Sequence, residues 1–138
     1  MKASTAPKIE RLRGRAQFLF VRAGVRAART AVLVEARRRA ESGSIGLGLT
    51  ASSRIGNAVI RNRARRRLRE AARQLLPQYG LGGGDYVLVA RQATPEAAWP
   101  ALLDDLQNAL IRLRAALEGG SSTPRKRPAQ RATIPGSE

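Results

Sequence analysis

Eight arginines stand against a single glutamate in Arg54–Arg73, RIGNAVIRNRARRRLREAAR, and their spacing is regular. At 100° per residue, Ile60, Ala64, Leu68, Ala71, Ala72 and Leu75 fall within about 120° of one another, an apolar stripe fit to pack on a core. Arg61, Arg65, Arg69 and Arg73 form an i, i+4 row along the edge of that stripe, and Asn62, Arg63, Arg66 and Arg67 fill the remaining arc. Like charges at this spacing repel, and Glu70 alone offsets them, so the row calls for a polyanion outside the chain. The chemistry is phosphate recognition, because a planar guanidinium donates two parallel hydrogen bonds and sheds its hydration easily. Asn57 and Asn62 add donors and acceptors suited to sugar hydroxyls or base edges. A merely solvated basic face is the competing reading.

The rest of the chain offers little other chemistry. Its 138 residues contain no His and no Cys. That excludes an imidazole base, a Ser-His-Asp triad, a thiolate nucleophile, a disulfide framework and His- or Cys-ligated metal. Asp104 and Asp105 are adjacent and point about 100° apart on a helix, a poor metal pair. Asp85 follows GLGGG and reads as a turn residue, and GLGGG lacks the Lys and Ser/Thr of a phosphate-binding P-loop. No metal site is assigned to the protein itself. Twenty-six Lys and Arg against ten acids leave a net charge of +16, a field that attracts nucleic acid. A compositional bias explains Arg in place of Lys but not the scarcity of acids.

Around the basic helix, Asn57 to Leu76 and closed by Pro77 and Gly80, the pattern predicts a small single-domain α+β sandwich of order α-β-β-α-β-α. Arg15–Ala23 reads as a helix stopped by Gly24. Thr30–Ala36, Ser44–Ala51 and Asp85–Arg91 read as strands. Thr94-Pro95-Glu96 is a good helix start, and Pro100 marks a restart near Trp99. Trp99, Leu102, Leu103, Leu106, Leu110, Leu113 and Leu117 then form a helical apolar stripe. The domain is expected over 11–118, after a flexible basic lead-in at 1–10. A disordered tail is expected at 119–138, where Arg125, Lys126, Arg127 and Arg131 add non-specific phosphate affinity. No apolar run approaches the roughly 18 residues of a membrane span, and no secretory signal is legible, so the expected location is the cytoplasm.

The stretch IGNAVIRNRARRRLRE at 55–70 resembles the signature of the bacterial ribonuclease P protein subunit family, a GNAV-x-RNR-x-+R-x-+RE pattern that opens a long basic helix. The resemblance extends to Arg11-Leu12, Phe18, GLGLTASSR, DYVLVAR and the final amphipathic helix. It implies a fold similar to the second domain of ribosomal protein S5, with a left-handed β-α-β crossover where general rules favour the right-handed one. It also implies a ribonucleoprotein that removes the 5′ leader of precursor tRNA, with magnesium held mainly by RNA and the RNA subunit as catalyst. One protein per RNA is expected.

By motif matching, Asn57, Arg61, Asn62, Arg63, Arg65, Arg66, Arg67 and Arg69 inherit contact with the catalytic RNA, while Ala64 and Leu68 are core. A cleft for the single-stranded leader is implied on the face shared by the first helix and the sheet, with Phe18, Arg22, Val34, Ser53, Arg54 and Arg91 as its contacts. Single strands are held by stacking on rings combined with cationic tracks. Ordinary core packing is the equal alternative for Phe18, and Phe20 reads as core. Arg22 and Val34 stand where some relatives carry aromatics, and Ser53 replaces a frequent Lys, so electrostatics from Arg22 and Arg91 must offset weaker stacking. The alternatives are a non-catalytic RNA-binding protein that shares the fold, and an autonomous nuclease that the missing His argues against.

Overall fold

The computed structural model describes residues 6–120. Five strands form one sheet in the order β1-β4-β5-β3-β2: β1 Ile9–Arg11, β2 Val25–Ala28, β3 Val32–Arg38, β4 Ile45–Thr50 and β5 Gly84–Ala90. Three helices complete the chain: α1 Arg15–Arg22, α2 Ala58–Tyr79 and α3 Trp99–Gly120. The expected α+β class holds. β4 and β5 are parallel neighbours joined through α2, whereas β2-β3 and β3-β5 are antiparallel.

Alternation along the strands sorts residues between two faces. Val32, Val34 and Ala36 of β3 and Tyr86, Leu88 and Ala90 of β5 point to the side covered by α2 and α3. There they meet Ala64, Leu68, Ala71, Ala72, Leu75 and Leu76 of α2 and Leu102, Leu106, Leu110, Leu113 and Leu117 of α3. The helical stripes expected at both places are therefore the core. On the opposite face α1 lies alone, with Val21, Phe18 and Phe20 packed near Leu12, Val87 and Val89. Gly48 of β4 is what lets α1 settle: a Cβ there would stand 2.6 Å from the Phe18 ring.

Four details differ from expectation. The sheet begins at Ile9, inside the stretch expected to be a flexible lead-in, because β1 pairs in parallel with Ile45–Leu47. A strand absent from the expected order, β2, pairs with β3 around Arg29–Ala31. Helix α2 runs through Pro77 to Tyr79 and ends where Gly80 N–H donates to the Leu76 carbonyl. Proline there deprives only the Arg73 carbonyl of its helical N–H partner. Finally, Asp85 is no turn residue. It is a buried strand residue paired with Arg39 at 3.0 Å.

Residues 92–97 form turns, and α3 starts at Trp99, beside Pro100. The expected tail begins inside α3, and its residues 121–138 lie outside the described residues.

Candidate nucleic-acid interface

Helix α2 begins where the backbone permits. Gly56 adopts φ +148°, a conformation that side chains disfavour, and a Cβ there would also press on Ile60 at 2.9 Å. Asn57 follows as N-cap, its Oδ1 accepting from the Ile60 N–H at 3.0 Å. The Gly-Asn pair of the motif thus sets the starting point and the rotational phase of the arginines behind it.

Those arginines divide into groups with different surroundings. Arg65, Arg69 and Arg73 line a groove of about 560 Å³ together with Ile9, Arg11, Leu12, Phe18, Leu47, Gly48 and Leu49. Asn62 Oδ1 accepts from Arg65 at 2.9 Å and so orients it. Arg63 and Arg66 are exposed, Arg63 with a loose 3.9 Å approach to Glu96. Arg61 is half-buried, and its Nε has no acceptor among the described residues.

Arg67 stands apart. Its two terminal nitrogens donate to the carbonyls of Thr94 at 2.7 Å and Ala97 at 2.6 Å, and its guanidinium lies 5.7 Å from the Trp99 ring centre. Expected as an RNA contact, it is instead committed to holding the turn before α3. Asn57 likewise spends its side-chain oxygen on the cap.

A second groove lies on the α1 face, lined by Phe18, Arg22, Arg26, Leu33, Glu35, Thr50, Val87 and Val89. Phe18 lines both grooves; the first includes Arg11 at the end of β1 and the second Thr50 at the end of β4. The hairpin that carries Arg26 and Glu35 is anchored at Ala31. Its N–H donates to Asp105 at 2.8 Å, and its carbonyl accepts from the buried Thr94 hydroxyl at 2.7 Å. Phe20 lies beside this groove with Arg37 over its ring at 4.3 Å.

Of the residues expected in the leader cleft, Phe18 and Arg22 line this groove. Val34 does not: it is fully buried on the α2/α3 face, because β3 runs in the opposite phase from that assumed, and Leu33 and Glu35 point into the groove instead. Ser53, Arg54 and Arg91 are exposed beyond the ends of β4 and β5, where Gln92 Nε2 donates to the Arg54 carbonyl at 2.8 Å. Arg26 and Glu35 were missed. Their signal was a lone acid inside the apolar run TAVLVEA, with an arginine one short strand earlier.

Asp85 is committed to Arg39 and Asp105 to Ala31, and no cluster of three potential metal ligands occurs among the described residues. No described helix is long and apolar enough to cross a membrane.

Fold and site together define an α+β domain that presents an arginine-lined helix beside an aromatic groove. The family model for Ribonuclease P matches residues 6–114, so the chain belongs to the Ribonuclease P protein family. It is 44% identical over 121 residues to a ribonuclease P protein component of Caulobacter vibrioides, covering 87% of this chain and 81% of that one. A counterpart in Ruegeria pomeroyi is 47% identical over 107 residues, covering 75% and 86%. Among solved structures, the RNase P protein from Thermotoga maritima superposes with a TM-score of 0.62 at 26% identity, covering 75% of this chain and 96% of that one. A Staphylococcus aureus RNase P protein mutant gives 0.65 at 25% identity, covering 75% and 87%. Membership places the chain in the endoribonuclease system of that name.

Proposed function

We propose that the chain is the protein partner of the ribonuclease P RNA in maturation of the tRNA 5′ end. The arginine face of α2 binds the catalytic RNA, and the groove beneath α1 binds the single-stranded 5′ leader of precursor tRNA. One observation carries this reading: Phe18 lines both grooves, so two RNA segments can lie side by side on one protein surface. An apolar ring flanked by Arg11, Arg22, Arg26, Arg65, Arg69 and Arg73 suits a strand whose bases stack while its phosphates are neutralised.

In this reading the chemistry belongs to the RNA. The chain has no His and no Cys, and its buried or half-buried aspartates serve the fold. Magnesium is held mainly by RNA phosphates. The protein lowers the repulsion between two RNAs brought together, an effect that weakens with salt. The complex acts in the cytoplasm with one protein per RNA.

The test is reconstitution with a bacterial ribonuclease P RNA and a precursor tRNA at low magnesium, where the RNA alone is slow. Cleavage at the mature 5′ end that requires both components supports the assignment. Tight RNA binding without stimulation points to a non-catalytic RNA-binding protein, and cleavage by RNA-free protein points to a nuclease in its own right.

A further inference from the structure

Glu35 is out of keeping with its surroundings. Its residue is 8% exposed, yet its carboxylate makes no hydrogen bond or ion pair among the described residues. Its oxygens are not sealed off, since the side chain lines the α1-face groove. Arg26 stands opposite it in the β2-β3 register, and Arg22 approaches from α1. Both attract the carboxylate without closing to ion-pair distance. Water reaches those oxygens, so they are free to accept from donors that a ligand brings into the groove.

The neighbours narrow what that is. A divalent cation would be repelled by Arg22 and Arg26, and a phosphate by the carboxylate itself. A nucleotide satisfies all the groups at once, with its phosphate on the arginines, its base against Phe18 and its base edge on Glu35. Building on the leader-binding reading above, we infer that Glu35 reads the base edge of one leader nucleotide and selects guanine.

Guanine presents N1–H and N2–H as parallel donors that match two carboxylate oxygens. Adenine and cytosine offer a single amino group. Uracil sets two carbonyl oxygens on either side of N3–H, against the carboxylate.

The experiment measures equilibrium binding of precursor tRNAs to the holoenzyme reconstituted from the full chain and a ribonuclease P RNA. The leader carries each of the four bases at each position in turn, and a leaderless tRNA is the reference. The expected result is one position at which guanine binds roughly ten-fold tighter than uracil. Glu35→Gln, whose amide offers one acceptor and one donor, levels that preference while leader-dependent affinity persists. Glu35→Ala levels it too. The wild-type base series decides the matter even if a variant does not fold. No guanine-preferring position, or a preference unchanged in Glu35→Gln, overturns the inference if removal of the leader still weakens binding. Affinity indifferent to the leader overturns the leader-groove reading as well.

Discussion

The guanidinium of Arg67 bridges α2 to the turn before α3, donating to two carbonyls while lying 5.7 Å from the centre of the Trp99 ring. Arg66, its neighbour in sequence, makes no such contact among the described residues and is exposed. One residue of helix rotation thus separates a structural cation from a free one. Arg67→Ala leaves two partly buried carbonyls without their donor, at a cost of about 1–3 kcal/mol. Thermal melting should show a lowered midpoint for Arg67→Ala and an unchanged one for Arg66→Ala.

The reverse contrast is expected in RNA binding. On the proposed reading Arg66→Ala and Arg69→Ala each remove a phosphate contact, so the slope of log affinity against log salt should flatten by about 0.7–0.9 per contact. A salt titration of protein–RNA binding checks this. An unchanged slope would place these side chains outside the interface.

Asn57 is a third kind of motif residue. As N-cap of α2, its change to Ala should cost about 1 kcal/mol of stability, with Asn57→Asp restoring most of it. Chemical denaturation of the three proteins decides whether the cap or an RNA contact is the residue's main task.

Gly48 supports the aromatic seat. Gly48→Ala puts a methyl 2.6 Å from the Phe18 ring, forcing the ring out at a cost of roughly 1–3 kcal/mol. Leader-dependent affinity should fall, while the affinity for ribonuclease P RNA stays close to wild type. Binding assays with leadered and leaderless tRNA separate the two.

Glu35 gives a pH signature. Burial raises its carboxyl above the ordinary value of 4.5, against the pull of Arg26 and Arg22. Between the ordinary and the raised value the folded chain holds more proton than the unfolded one. Stability therefore falls as pH climbs through that window and remains lowered above it. Glu35→Gln should melt higher than wild type near neutrality, with the gap closing as pH drops below the ordinary carboxylate range. Melting curves from about pH 4 to pH 8 test this. A gap of constant size would trace to packing instead.

The parts of the fold that could be read in advance are those whose periodicity repeats. Helix α2 spans 22 residues, long enough for Ala64, Leu68, Ala71 and Leu75 to establish a phase, and the leucines of α3 do the same. Strands β1 and β2 have three and four residues, too few to show alternation, and they exist because longer neighbours supply the pairing. In β3 both phases of TAVLVEA are apolar apart from the glutamate, so Val34 and Leu33 could not be ranked without knowing which face α1 covers. Within the basic helix the excess of arginine was plain. The commitment of Arg67 was not, because its partners are backbone carbonyls 27 and 30 residues away.

One further consequence follows from α2 carrying its buried stripe and its arginine row on a single cylinder. The two faces are geared together at 100° per residue. Substitutions can accumulate on either face independently, but an insertion or deletion of one residue between Asn62 and Ala71 would turn core and interface at once. A substitution in this helix disturbs one face at a time, whereas a change in its length disturbs both.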